Sequence, residues 1–278
     1  GKLHWRKVYE IPPGSRIARG KAIVNLLQLE SGEKVSTFLP IHEFTEGPYV
    51  LFATRKGTVK KTPLMAYARR RTAGIIAINL EEGDELIGAS LVDPGQEVLL
   101  SSRAGMAIRF PQEGVRSMGR SAGGVRGIYL GTGDEVVSLE ILAADARLLT
   151  VSEKGQGKRS ALEDYRSQSR GGKGIRTMKV GAKTGAVVAV VQVSDEDELM
   201  LVTDRGRLIR LRVEDIRVVG RNTQGVKLIE IDDGERLVSL ARVDESTVSL
   251  EDTEDTDDTG SVDATPDQGP EGSEGTEA

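Results

Sequence analysis

The chain has 278 residues, with 38 Lys+Arg against 43 Asp+Glu, 33 glycines, two histidines and no cysteine. The lack of cysteine excludes disulfide frameworks, zinc ribbons, thiol nucleophiles and iron–sulfur centres, and two histidines are too few for a multi-histidine metal site. No apolar stretch approaches the ~20 residues of a membrane helix and the start has no signal-peptide apolar core, so the expectation is a cytoplasmic protein with no membrane partner.

Compared with itself, the chain repeats with a period of about 50 residues. Each repeat carries an apolar run, a Ser or Thr three residues before a marker glycine, and a basic residue four after it. A second glycine follows 17 to 19 residues later, ahead of another apolar run. The first unit, residues 1–48, lacks the opening run: Gly1 stands for the marker, Gly20 for the second glycine, and Gly32-Glu33 for a third signal, Gly-Asp/Glu. The second, 49–96, opens with Leu51-Phe52-Ala53-Thr54, turns at Gly57 and continues through Gly74 and Gly83-Asp84; its segment Leu64 to Arg71 reads equally as one helical turn or a loop. The third, 97–146, has Gly105, Gly124 and Gly133-Asp134; the fourth, 147–197, has Gly155 and Gly174; the fifth, 198–243, has Gly206, Gly225 and Gly234-Glu235. Four short β-rich runs per unit predict an all-β, propeller-like array of about five four-stranded blades, the first incomplete.

Residues 244–278 differ from all of this. They hold 13 acidic residues and no basic one, so the body, 1–243, keeps 38 basic residues against 30 acidic, a surplus of eight. Made of Asp, Glu, Thr, Ser, Gly and Pro, this tail cannot bury enough apolar surface to offset its ordering entropy and is expected to be disordered. A basic body with an acidic tail points to nucleic acid or to self-masking of a basic surface, in which case removing the tail tightens nucleic-acid binding.

The basic residues between the first and second glycines, and just after, recur in register. They are Arg16, Arg19 and Lys21 in unit one; Arg69, Arg70 and Arg71 in unit two; Arg116, Arg120 and Arg126 in unit three; Arg166, Arg170, Lys173 and Arg176 in unit four; Arg217, Arg221 and Lys227 in unit five. If the units pack side by side, these form one continuous belt. Guanidinium forks with glycines beside them suit the phosphate backbone of a duplex rather than base edges.

Other constellations fall away. Gln168-Ser169-Arg170-Gly171-Gly172-Lys173-Gly174 is no Walker loop, because Lys173 is followed by glycine, and no βαβ context supports a dinucleotide fingerprint. Asp195-Glu196-Asp197-Glu198 reads as a solvated turn rather than a cation cage, His4 and His42 as surface or packing residues, and Trp5 as core filler. No catalytic, cofactor-binding or metal-ligating set emerges.

Several stretches resemble a known family, the C-terminal domain of the DNA gyrase A protein, a six-bladed β-pinwheel of bacterial type IIA topoisomerases. They are Trp5 to Pro12, Ala18 to Leu27, Gly57 to Thr62, Arg71 to Gly74, Gly83 to Gly88 and Val219 to Val226, and the resemblance covers nearly all of residues 1–243. It implies a non-catalytic module that wraps double-stranded DNA without base specificity. Its partners would be the rest of the gyrase A protein and the gyrase B protein in a heterotetramer near the nucleoid, and the wrap would direct strand passage toward negative supercoiling. ATP, Mg²⁺ and the cleavage tyrosine would then belong to other parts of the enzyme, leaving Tyr9, Tyr49, Tyr67, Tyr129 and Tyr165 without catalytic roles. The family's basic heptapeptide, Q-R-R-G-G-K-G, sits in its first unit. On this resemblance the sequence would begin inside the second unit, without the first, and Gln168 to Gly174 would be a variant copy with Ser169 for the first Arg. Alternatives are the related domain of topoisomerase IV and a propeller-like protein-interaction scaffold.

Overall fold

Every unit from the second to the fifth folds around an antiparallel hairpin that turns at its marker glycine. Tyr49–Thr54 pairs with Thr58–Pro63, Glu97–Ser102 with Met106–Pro111, Arg147–Ser152 with Gln156–Ala161, and Glu198–Thr203 with Leu208–Arg212. Gly57, Gly105, Gly155 and Gly206 have φ between +71° and +86°, the left-handed region a tight turn demands, which is why glycine marks the period. A third strand returns to the other side of the first: Leu86–Val92, Val136–Leu142, Val187–Val193 and Leu237–Val243. The Gly-Asp signal caps this arrangement. Asp84 Oδ1 accepts from the Lys56 and Glu85 amides at 2.9 and 2.8 Å, and Asp134 Oδ1 from the Ala104 and Glu135 amides at 2.8 and 2.9 Å.

This computed structural model describes residues 1–14, 19–30, 32–144 and 146–243, and Gly1–Glu245 cluster as one unit. The acidic stretch 244–278 lies outside the described residues.

The fourth strand of each sheet comes from the next unit, which the repeat pattern did not anticipate. Val125–Arg126 of unit three completes the sheet of unit two, Ile175–Arg176 of unit four that of unit three, and Val226–Lys227 of unit five that of unit four. The register is identical each time: Thr58↔Arg126, Met106↔Arg176 and Gln156↔Lys227. At the start of the chain Lys2–Leu3 receives Ile75–Ile76 of unit two in the same register, so Gly1 does occupy a marker position. The second glycine makes the exchange possible: a Cβ at Gly174 would lie 2.3 Å from the Ala107 carbonyl oxygen, and one at Gly225 2.5 Å from that of Gly157.

Three sheets are therefore four-stranded as expected, while that of unit five has three strands and unit one contributes only the two-stranded pair. Most of unit one is irregular apart from two short 3-10 turns, Val8–Glu10 and Ile23–Asn25, and the ambiguous segment of unit two is a 3-10 turn, Leu64–Tyr67. Among the described residues no helix is long and apolar enough to cross a membrane.

The core lies between units rather than inside any one. Because strand side chains alternate, Leu51 and Ala53 pack toward Val98, Leu100 and Phe110 of unit three, while Val50 and Phe52 pack toward Leu3 and Trp5 of unit one. In the same way Leu99 meets Leu148 and Tyr165 of unit four, and Leu149 and Val151 meet Leu199 and Leu201 of unit five. Sheets buried on both faces leave their chemistry to the edges and connections.

Candidate nucleic-acid interface

The connection between first and second glycines runs along the edge of the preceding unit. Ser117 bridges in parallel to Lys61, Ser167 to Arg109 and Val218 to Arg159, sealed by Met118, Gln168 and Val219 amides donating to those residues' carbonyls at 2.8, 2.9 and 2.8 Å. Arg116, Arg166 and Arg217 each precede a bridged residue, so all three occupy one structural position. Arg126, Arg176 and Lys227 occupy a second, in the exchanged strands. Neighbouring connections are tied to each other: the Tyr129 amide donates to the Gly172 carbonyl at 2.8 Å and the Lys179 amide to that of Thr223 at 2.9 Å. From unit three to unit five the arginine-bearing segments therefore form one joined track.

Of the fifteen belt cations within the described residues, thirteen are exposed and two, Arg170 and Arg221, are half-buried. Those two are partly engaged in structure. Arg170 donates to the Gly114 and Arg126 carbonyls at 2.7 and 3.0 Å, and Arg221 to the Arg176 carbonyl at 2.9 Å. Among the described residues only Lys227 of the belt has a carboxylate partner, Glu230 at 2.7 Å. Elsewhere on the molecule arginines are neutralised locally. Arg55 pairs with Glu85 and Glu135, Arg103 with Glu135 and Glu153, Arg147 with Asp195, Arg207 with Glu235 and Arg236 with Asp204. The belt holds most of the arginines without a carboxylate partner among the described residues, Arg205 and exposed lysines such as Lys179 and Lys183 being others.

Unit one fits less well. Arg16 lies outside the described residues, and Arg19 and Lys21 are exposed on a segment that forms no strand pairing among the described residues. Arg69, Arg70 and Arg71 are exposed after the 3-10 turn of unit two, in a connection two residues shorter than the others and without the parallel bridge.

The basic residue four after the marker glycine has a different job in units two to four, while Arg210 of unit five pairs with Glu198 of its own unit. Lys61 donates to the Gln112 carbonyl at 2.9 Å; Arg109 to those of Leu162 and Tyr165, both at 3.1 Å; Arg159 to those of Ile216 and Glu214 at 2.6 and 3.1 Å. Each binds carbonyls of the turn that follows the equivalent strand in the next unit and so ties that turn to the preceding sheet. Trp5 fills the same place in unit one, its indole N–H donating to the Tyr67 carbonyl at 3.1 Å.

Sequence reasoning missed two features. Tyr129, 49% exposed, lies between Arg126 of its own unit and Lys173 of the next, both cations within 5.7 Å of its ring centroid. Two lysines, Lys60 and Lys158, are wholly buried beneath the track. The Lys60 ammonium donates to the carbonyls of Ala77 and Arg120, and that of Lys158 to the Gly220 and Arg221 carbonyls at 3.0 and 2.6 Å and to Ser160 Oγ at 3.1 Å. Burial pushes both down to about 8, with the nearby Arg120 and Arg221 guanidinium groups adding to the effect. Their three-residue offset from a glycine in a strand offered no signal of burial.

The remaining candidates are occupied structurally. Asp195 holds Arg147 and Arg159, which keep its carboxyl below the usual range, while Asp197 accepts the Ser194 amide at 2.7 Å and Glu198 pairs with Arg210. Tyr67 and Tyr165 are buried, their hydroxyls bonded to the Ala77 carbonyl at 3.1 Å and to Thr177 Oγ1 at 2.7 Å. His42 is exposed, and His4 is half-buried with Nε2 unpartnered among the described residues.

A family model described as "DNA gyrase C-terminal domain, beta-propeller" matches residues 1–42, 48–93, 96–143, 146–194 and 197–244. The chain belongs to the DNA gyrase C-terminal domain family. The DNA gyrase A protein of Halalkalibacterium halodurans is 57% identical over 244 residues, covering 88% of this chain and 29% of the relative, and that of Escherichia coli 47% over 245 residues, covering 88% and 28%. The chain thus spans less than a third of the length of these gyrase A proteins. Among solved structures, a DNA gyrase A C-terminal domain superposes with TM-score 0.76 at 28% identity, over 88% of this chain and 80% of the other. The C-terminal domain of a DNA topoisomerase IV gives 0.76 at 27%, over 84% and 75%. The gyrase-type pinwheel thus places its recurrent arginines on one track in units three to five. It uses a second, equally recurrent set to fasten unit to unit.

Proposed function

We propose that this chain is the non-catalytic, DNA-wrapping part of a gyrase A protein. It binds the phosphate backbone of a duplex along the arginine track, together with the remainder of gyrase A and with gyrase B, and the resulting wrap directs strand passage toward negative supercoiling. ATP and Mg²⁺ belong to the rest of that enzyme, and the chain itself uses no cofactor. The observation that carries this reading is the contrast between the joined track, whose cations lack carboxylate partners among the described residues at all but Lys227, and arginines elsewhere such as Arg55, Arg103 and Arg236 that are paired. Arginines recurring at equivalent positions of successive units attract any duplex equally, since phosphates carry no sequence.

With about two phosphates met per unit, about ten in all, log K for duplex binding falls against log salt with a slope of about −9. Binding of ~40 and ~120 bp duplexes at several salt concentrations tests this; a slope near zero, or no gain with length, refutes wrapping and favours a protein-interaction scaffold. The likeness to a topoisomerase IV domain is as good in shape as that to gyrase. Supercoiling of relaxed plasmid by a holoenzyme reconstituted with the full-length protein that carries this chain decides between them: gyrase introduces negative supercoils, whereas a topoisomerase IV only relaxes.

A further inference from the structure

Two of the arginine-bearing connections are held from below by a charged group that never reaches the surface. Lys60 and Lys158 stand at the same place in their units, three residues after the marker glycine, and each reaches across the boundary into the next unit. The carbonyls they grip belong to equivalent residues, Arg120 and Arg221, each four residues before the second glycine. In unit three that lysine is replaced by Ile108, which packs in the core. There Arg170, the equivalent arginine, donates to the Gly114 carbonyl in addition to the Arg126 carbonyl, a second bond whose counterpart is that of Arg221 to Arg176. Where Lys60 holds the main chain the Arg120 guanidinium is exposed, whereas Arg221, held by Lys158, is half-buried like Arg170 and donates to the Arg176 carbonyl.

We propose that Lys60 and Lys158 are positioning residues of the DNA-binding track, fixing the main chain of the next unit at Arg120 and Arg221 and so the direction in which those two side chains leave it. This inference rests on the DNA-wrapping reading above. A lysine is a costly way to satisfy two carbonyls, because burial disfavours its charge, as the shift of both groups to about 8 records. An ammonium with three N–H donors nevertheless suits the task, since it bonds several carbonyls at once in directions a hydroxyl or amide does not reach. Lys158 uses all three donors, on Gly220, Arg221 and Ser160.

The test is a pair of double-mutant cycles in the 278-residue chain, Lys60→Met with Arg120→Ala and Lys158→Met with Arg221→Ala, reading affinity for a ~120 bp duplex, its salt slope and the thermal midpoint. Arg120→Ala is expected to weaken binding up to about eightfold at 0.1 M salt and to lower the slope by about 0.9, the share of one phosphate contact. Lys60→Met should weaken binding by a similar factor, and the double variant by no more than either single one, because a misdirected arginine is already lost. Lys158 and Arg221 should show the same coupling. If the factors multiply, the lysines act only by long-range charge or general stability and the proposal is overturned. If Lys60→Met and Lys158→Met both leave affinity unchanged while the arginine variants weaken it, the proposal also fails but the track stands. If Arg120→Ala and Arg221→Ala are themselves silent, the DNA reading of these positions fails instead. Should one lysine variant not fold, the other cycle decides. Should neither fold, Lys60→Arg and Lys158→Arg replace them: retained folding with weakened binding and the same coupling supports the proposal, and unchanged binding overturns it.

Discussion

Replacing Arg116, Arg166 and Arg217 together by alanine separates the track from the fold that carries it. All three side chains are exposed and have no ion pair or side-chain hydrogen bond among the described residues, while their neighbours Ser117, Ser167 and Val218 hold the connections through main-chain bridges that alanine does not disturb. Surface changes of this kind usually move stability by no more than ~0.5 kcal/mol, so the melting curve is expected to be unchanged. Binding should change greatly. If each arginine neutralises one phosphate, the slope of log K against log salt becomes shallower by about 2.7, and at 0.1 M salt the affinity falls by up to about 500-fold. The assay is a salt titration of a fluorescent duplex of ~120 bp, with Arg103→Ala as control. That residue also loses a positive charge, but one already paired with Glu135 and Glu153, so its slope should match the unaltered chain. A triple variant that folds normally and keeps its slope would show that the shared position does not face DNA.

Three further outcomes are expected. Gly174→Ala should destabilise by more than about 2 kcal/mol in thermal or denaturant unfolding, since φ is +72° and the new Cβ would lie 2.3 Å from the Ala107 carbonyl oxygen; Gly131→Ala, with nothing within 4 Å, should stay within ~0.5 kcal/mol. Glu140 has its carboxyl pushed above the usual range by burial, which outweighs the opposing hydrogen bonds from Gln192, so its folded form favours the proton. The stability this gives is present below the ordinary carboxylate value and is lost as pH rises through the raised one. Glu140→Gln should therefore melt with the unaltered chain near pH 4 and above it near pH 8, and equal melting at both refutes the assignment. Removing residues 244–278, with their 13 acidic groups, should tighten duplex binding at ~0.15 M salt, and unchanged affinity dismisses the idea that this stretch competes for the track.

Much of this protein was legible because its period is written in residues with few substitutes. Left-handed glycines at Gly57, Gly105, Gly155 and Gly206 fix the hairpin turns, and runs such as Leu51 to Thr54 are buried on both faces, so turn chemistry and hydrophobicity alone gave the units, the strand-rich class and the recurrence of the arginines. What the one-dimensional pattern could not reveal was partnership across units. Val125–Arg126 and its equivalents are two-residue strands, too short to announce which sheet they complete, and only packing assigns them to the preceding unit. That exchange separated two sets of cations which look alike in sequence. Arg109 and Arg159 are turned inward to neighbouring carbonyls, Arg116 and Arg166 outward, and Lys60 and Lys158 are sealed beneath the track. Residue type fixed how much charge each unit carries. The direction in which each charge points depends on hydrogen bonds made across unit boundaries, and those exist only once the units have docked.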